Sequence, residues 1–190
     1  MTAGATQTLA LILSAATSQG SQNLLNAPSL EDLGFSAEAT KSDPKEQALL
    51  DKRTHMLKIH QKLGLITTIP VVAAIVSSAG AGGKRTSTTS RDLHVGLGAL
   101  AGDMYFTTAY FAIFAPKIAG TQTKGPIRVH KALVWIHGPG MIMTPILGAI
   151  AYNQKSHGEK VHGWGAAHIP VAIVTAGAYG AALLSVSVKF

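Results

Sequence analysis

Four stretches of this chain, residues 63–83, 93–116, 132–154 and 161–188, hold no Lys, Arg or Glu, and polar segments separate them. At about 1.5 Å of rise per residue, each is long enough as a helix to cross a hydrocarbon layer of about 30 Å. A backbone in lipid must satisfy its own hydrogen bonds, and runs of this length exceed the strands of a membrane barrel. The pattern therefore predicts an all-α integral membrane four-helix bundle, with spans at about 57–83, 93–116, 130–153 and 161–188.

The first third of the chain reads differently. An apolar run at 9–16 is too short to span, and no Lys or Arg precedes it, so a secretory signal peptide is not expected. Residues 17–43 are rich in Ser, Asn, Ala and acids without sustained periodicity. We read 1–43 as an irregular or interfacial N-terminal extension and 44–190 as the four-span domain. Its start is signalled by Ser42, Asp43 and Pro44: a side-chain cap, then proline in the first turn, with Glu46 near the positive end of the helix dipole.

Charge and composition change this picture in two ways. The formal net charge is +7, yet the basic residues cluster at the ends of the apolar runs, which marks them as topology signals and argues against nucleic acid as a partner. Lys52, Arg53, Lys58, Lys62, Lys117, Lys124, Arg128, Lys131 and Lys189 fall on one side. Lys84, Arg85, Arg91, Lys155 and Lys160 fall on the other. The excess predicts both termini on the cytoplasmic side. The chain has no cysteine, which excludes disulfides, thiolate metal sites, iron–sulfur clusters and covalent c-type haem attachment. Nor does it contain a P-loop, dinucleotide fingerprint, nucleophile elbow or zincin motif, so catalysis by side chains alone is not expected.

The candidate chemistry lies in the histidines. The third and fourth spans open on a near-repeat. Arg128-Val129-His130 leads to His137 and Pro139, and Lys160-Val161-His162 leads to His168 and Pro170. In an up-and-down bundle, His55, His60, His130 and His137 come to one side, and His94, His162 and His168 to the other. Counting to the basic residue at each far end, His60 is 24 residues from Lys84 and His130 is 25 from Lys155, so these two lie level. On the other side His94 is 23 residues from Lys117, against 21 for His168 and 27 for His162 from Lys189, so depth slightly prefers His168. His130 and His137, seven apart, share a helix face, whereas His162 and His168 diverge. Two neutral imidazoles from different helices, level and facing inward, can supply both axial ligands to one haem iron. Two such pairs make a path for electrons across the bilayer.

The segment Arg91-Asp92-Leu93-His94-Val95-Gly96-Leu97-Gly98-Ala99-Leu100 resembles the second core helix of the cytochrome b561 family. The entrances at His130 and His162 are similar to that family's third and fourth core helices, and His60 with Gly64 is similar to the first. The resemblance covers about residues 55–188 and implies a four-helix core with two b-type haems. It implies His60 with His130 as ligands of one and His94 with His162 as ligands of the other, His137 and His168 being the alternatives. For a dihaem cytochrome the candidate electron donors are a quinol, ascorbate or another small reductant, and the activity is then oxidoreductase-type electron transfer. His137 and His168, with the prolines that follow them, depart from the family pattern, as does the lack of flanking helices.

Other readings bear on the same residues. Single histidines beside small residues suit chlorophyll-type pigments, and a cofactor-free structural subunit of a membrane complex needs no ligand at all. Membrane lipid is a partner in every case, and other membrane subunits in some. Asp103, about 13 Å into the second span, is expected either to hydrogen-bond a Thr or Tyr inside the bundle or to serve in proton relay or quinol contact. Trp135 and Trp164 are expected at the interface or beside a porphyrin.

Overall fold

The computed structural model describes residues 43–83, 86–119 and 123–187. The expected extension, 1–43, lies outside them except for Asp43. The chain divides into two compact units, 1–47 and 48–190, and of the first only the start of a helix is described. There the Asp43 side chain accepts from the Lys45 amide (2.9 Å), so the capping signal read from the sequence starts the helix where expected.

Among the described residues the structure is all-α. Helix α1 runs Pro44–Ala81, α2 Thr88–Ile113, α3 Pro126–Ser156, α4 Gly163–Ala166 and α5 His168–Ser187. At 38 residues α1 is about 57 Å long, well beyond a hydrocarbon core. Helix α2 is capped by Ser87, whose hydroxyl accepts from the Ser90 amide. Helix α3 starts on Pro126 at its first turn, directly after Gly125 with φ 55. The expected fourth span is two pieces. Gly163, at φ 50, turns the chain into the single-turn α4, and α5 starts after Ala167. Pro170 has no N–H to give the Ala166 carbonyl, so the ladder cannot run unbroken through this point.

Cross-helix contacts fix an up–down–up–down arrangement. His60 and Thr67 of α1 meet Thr108 of α2, while Ala74 meets His94, so the two helices are antiparallel. Helices α3 and α5 are antiparallel by the same test: His130 meets Ala182, Gly140 meets Thr175, and Thr144 meets His168. The hydroxyl of Tyr179 in α5 donates to the Gly64 carbonyl of α1 at 2.6 Å and ties the hairpins together. Val71, Ala101, Tyr105 and Tyr179 form the core, with Met141 packed on it.

Pro44–Ala81, Pro126–Ser156 and Gly163–Ser187 are long and apolar enough to cross a membrane. Helix α2, which carries His94 and Asp103, is less apolar, but its contacts with α1 from His94 to Thr108 carry it through the same layer. The protein is an integral, multi-pass membrane bundle.

Candidate functional site: two opposed imidazole pairs

Two histidine pairs meet inside the bundle. The rings of His60 (α1) and His130 (α3) have centroids 6.1 Å apart and planes 81° apart. Those of His94 (α2) and His168 (α5) are also 6.1 Å apart, at 79°.

Each ring is anchored in the same way. His60 Nδ1 donates to the Thr108 carbonyl (2.9 Å) and His94 Nδ1 to the Ala74 carbonyl (2.9 Å), so α1 and α2 hold each other's imidazole. His130 Nδ1 donates to the Ala182 carbonyl (3.0 Å) and His168 Nδ1 to the Thr144 carbonyl (3.0 Å), so α3 and α5 do likewise. A carbonyl can only accept, so each ring carries its proton on Nδ1 and keeps the Nε2 lone pair for another use. This is the outer-shell arrangement that orients a metal-ligating histidine.

The spacing is regular. On every one of the four helices, the histidine and the carbonyl that anchors its neighbour's histidine are 14 residues apart: 60 to 74, 94 to 108, 130 to 144, 168 to 182. That interval is about 21 Å of helix, which sets the two pairs toward opposite edges of a core of about 30 Å. The hairpin α1–α2 and the hairpin α3–α5 are thus structural repeats around an axis along the membrane normal, an arrangement known in membrane proteins built from parallel repeats.

The separation tests what can sit between the rings. A first-row metal lies about 2 Å from an imidazole nitrogen, with the ring centroid about 1 Å further back, so two opposed imidazoles on one ion have centroids about 6 Å apart. The observed 6.1 Å fits one metal plane and is too short for two pigments each with its own histidine. Among the described residues no group of three or more His, Cys, Asp or Glu converges. Two imidazoles alone make a poor cage for a free ion, whereas a planar macrocycle that brings four ligands of its own would need only two more.

The other expected residues fall elsewhere. His162 does not face His94. It caps α4 in extended backbone conformation (φ −143, ψ 175), and its side chain is 71% exposed, 3.8 Å from the Glu159 carboxylate. Its amide donates to Gln154 Oε1 (3.1 Å) and its carbonyl accepts from Gln154 Nε2 (3.3 Å), so the loop uses its backbone and leaves the ring outside. The partner of His94 is His168. His137 is 4% exposed and shares a hydrogen bond with the Tyr105 hydroxyl through Nδ1 (2.9 Å); its Nε2 is buried without a partner. No second imidazole faces it. Instead it lies halfway between the pairs, edge-on to Tyr105 (5.6 Å) and Tyr179 (5.8 Å).

Those tyrosines were not anticipated, although a signal was present: Tyr105 follows His94 by 11 residues, and Tyr179 follows His168 by 11. Trp135 and Trp164 point outward, 83% and 72% exposed. At the His94 end, Arg91 Nε is buried without a hydrogen-bond partner while its guanidinium lies 5.9 Å from the Tyr152 ring centroid. That is a donor suited to a carboxylate. No family model, curated protein or solved structure matches the chain, so the geometry of the two imidazole pairs is what any functional reading has to rest on.

Proposed function

We propose that this protein is a dihaem b-type cytochrome that moves electrons across or within the membrane, with one haem held by His60 and His130 and the other by His94 and His168. The observation that carries the reading is the repeated unit of two imidazoles 6.1 Å apart, each fixed through Nδ1 by a neighbouring helix. Bis-imidazole haem iron is coordinatively filled and suits one-electron transfer instead of oxygen chemistry.

The chain's own residues do the rest. The four carbonyl anchors hold the rings at fixed orientation, which limits rearrangement between oxidation states. His137, Tyr105 and Tyr179 fill the space between the pairs with aromatic rings and keep water out of it. Arg91 stands ready for a propionate at the His94 end. A quinol or another small reductant is the donor class that fits a membrane carrier without a nucleotide fold. Vesicles holding the protein, with ascorbate trapped inside and ferricyanide outside, should reduce ferricyanide well above protein-free vesicles. Equal rates in the two preparations would contradict transmembrane transfer.

The ring angles add a spectroscopic expectation. With ring planes 81° and 79° apart, ferric haems held by these two pairs would give the strongly anisotropic low-spin EPR signal of crossed imidazoles, not the rhombic signal of parallel ones. Low-temperature EPR of the oxidised protein checks this.

A further inference from the structure

Among the described residues, His137 is the one buried side chain with an ionisable nitrogen or carboxyl group. Filling space accounts for its ring but not for its nitrogens. Nδ1 shares a hydrogen bond with the Tyr105 hydroxyl (2.9 Å), and Nε2 is buried with no partner among the described residues. A polar atom left so is costly in a low-dielectric interior. Packing at this level does not require it, as the hairpin repeat shows. The position equivalent to His137, seven residues past His60 as His137 is past His130, is Thr67; it is fully buried, and its hydroxyl is spent on the Leu63 carbonyl (2.7 Å). One hairpin closes the centre with a satisfied hydroxyl, the other with an imidazole that has a nitrogen to spare.

The placing is symmetric. His137 is seven residues from His130 and seven from Thr144, whose carbonyl marks the level of His168, so it stands about 10 Å along the axis from each imidazole pair. At an effective dielectric of about 20, a unit charge about 10 Å away alters proton affinity about tenfold. An electron arriving at either pair therefore favours a proton on His137, and by linkage the proton favours the electron by the same factor. The imidazole can take that proton without giving up Tyr105: Nδ1–H donates to the hydroxyl oxygen, and the new proton goes on Nε2. Few ionisable groups face it. From α2 it meets Tyr105, and from α5 Tyr179, whose hydroxyl is committed to the Gly64 carbonyl. Helix α1 brings no titratable side chain between Gly64 and Val71, and Asp103 of α2 is exposed. His130, seven residues away on the same helix, is anchored on the Ala182 carbonyl.

We propose that His137 binds a proton when the protein is reduced, so that electron transfer is coupled to proton uptake at the centre of the bundle. This rests on the dihaem reading. The reductant supplies the electron and water the proton, and both leave on reoxidation.

The test is a redox titration of the full chain, loaded with haem, in lipid nanodiscs from pH 4.5 to 8.5. Haem per chain is counted by pyridine haemochrome, and proton uptake on reduction is followed with an indicator dye in weak buffer. As pH rises, each midpoint should fall through one window by about 59 mV in all, which is the tenfold coupling converted for a one-electron centre. Up to one proton per chain should be taken up on reduction. His137→Gln should keep both haems and lose the fall and the uptake. Tyr105→Phe should keep the fall but move it to lower pH, because the imidazolium loses a charge-assisted hydrogen bond. Two haems with midpoints independent of pH overturn the proposal and leave the dihaem reading standing. A fall unchanged in His137→Gln, or unmoved in Tyr105→Phe, overturns it in the same way. A folded chain that binds no haem overturns both.

Discussion

His168→Ala should leave the purified protein with about one haem per chain, while His162→Ala should leave it with about two, as measured by pyridine haemochrome. The difference is large because the two histidines, six residues apart, do unrelated work. His168 sits 6.1 Å from His94 by ring centroids, its Nδ1 spent on the Thr144 carbonyl. Its place is also cut to shape: a Cβ on Gly148 would come 3.0 Å from His168 Cε1, so the glycine is what lets the imidazole lie against α3. Under the proposed function, removing the ring would take away one of two axial ligands and leave His94 facing a gap. The His162 ring is mostly exposed and lies 3.8 Å from the Glu159 carboxylate. Loss of a haem from His162→Ala with both retained in His168→Ala would reverse the assignment.

Gly140→Ala should be the most damaging single methyl in the bundle. Gly140 is where α3 and α5 come closest; a Cβ there would overlap the Thr175 side chain at three atoms. Thr175 cannot step aside: it is 4% exposed, β-branched, and its hydroxyl donates to the Val171 carbonyl (2.7 Å). Forcing a methyl into such a seam costs about 1–3 kcal/mol or more. The same seam carries the anchors of His130 on Ala182 and of His168 on Thr144, so splaying it loosens one imidazole of each pair. We expect a lower thermal midpoint in detergent and a fall in both haems together, in contrast to the single loss from His168→Ala. Adding Thr175→Gly should recover most of the loss, short of the roughly 1 kcal/mol that glycine costs in a helix. A Gly140→Ala protein of unchanged midpoint would show that the helices do not pack as closely as described.

How much of this was legible beforehand follows from what kind of information each feature needs. The spans at residues 63–83 and 132–154 are statements about hydrophobic length; helix α3 contains the second, and α1 the first as far as Ala81. The level of His60 with His130 is a matter of counting along two parallel helices, and the rings do meet. The choice between His162 and His168 turned on a backbone angle. The shared Val-His of the two entrances made His162 look like the equivalent of His130, but Gly163 at φ 50 and the Gln154 clamp hold its ring outside the bundle. Counting depth had leaned to His168, and the family resemblance to His162. The repeat that organises the fold is hairpin on hairpin, marked by the 14-residue intervals, and not the span-on-span likeness that the Val-His motif displays. Asp103 shows the opposite limit. Its depth could be read from the sequence, yet its facing depends on how α2 is rotated: of the two expectations, a Thr or Tyr partner inside the bundle and a proton-relay or quinol contact, the first is not met, because the residue is exposed.

The most direct test of the central claim is the reduced-minus-oxidised visible spectrum of the purified full chain, with haem quantified against protein. Two opposed imidazole pairs predict sharp low-spin b-type bands and about two haems per chain. A folded, colourless preparation, or one whose absorption is that of a chlorin, would contradict it.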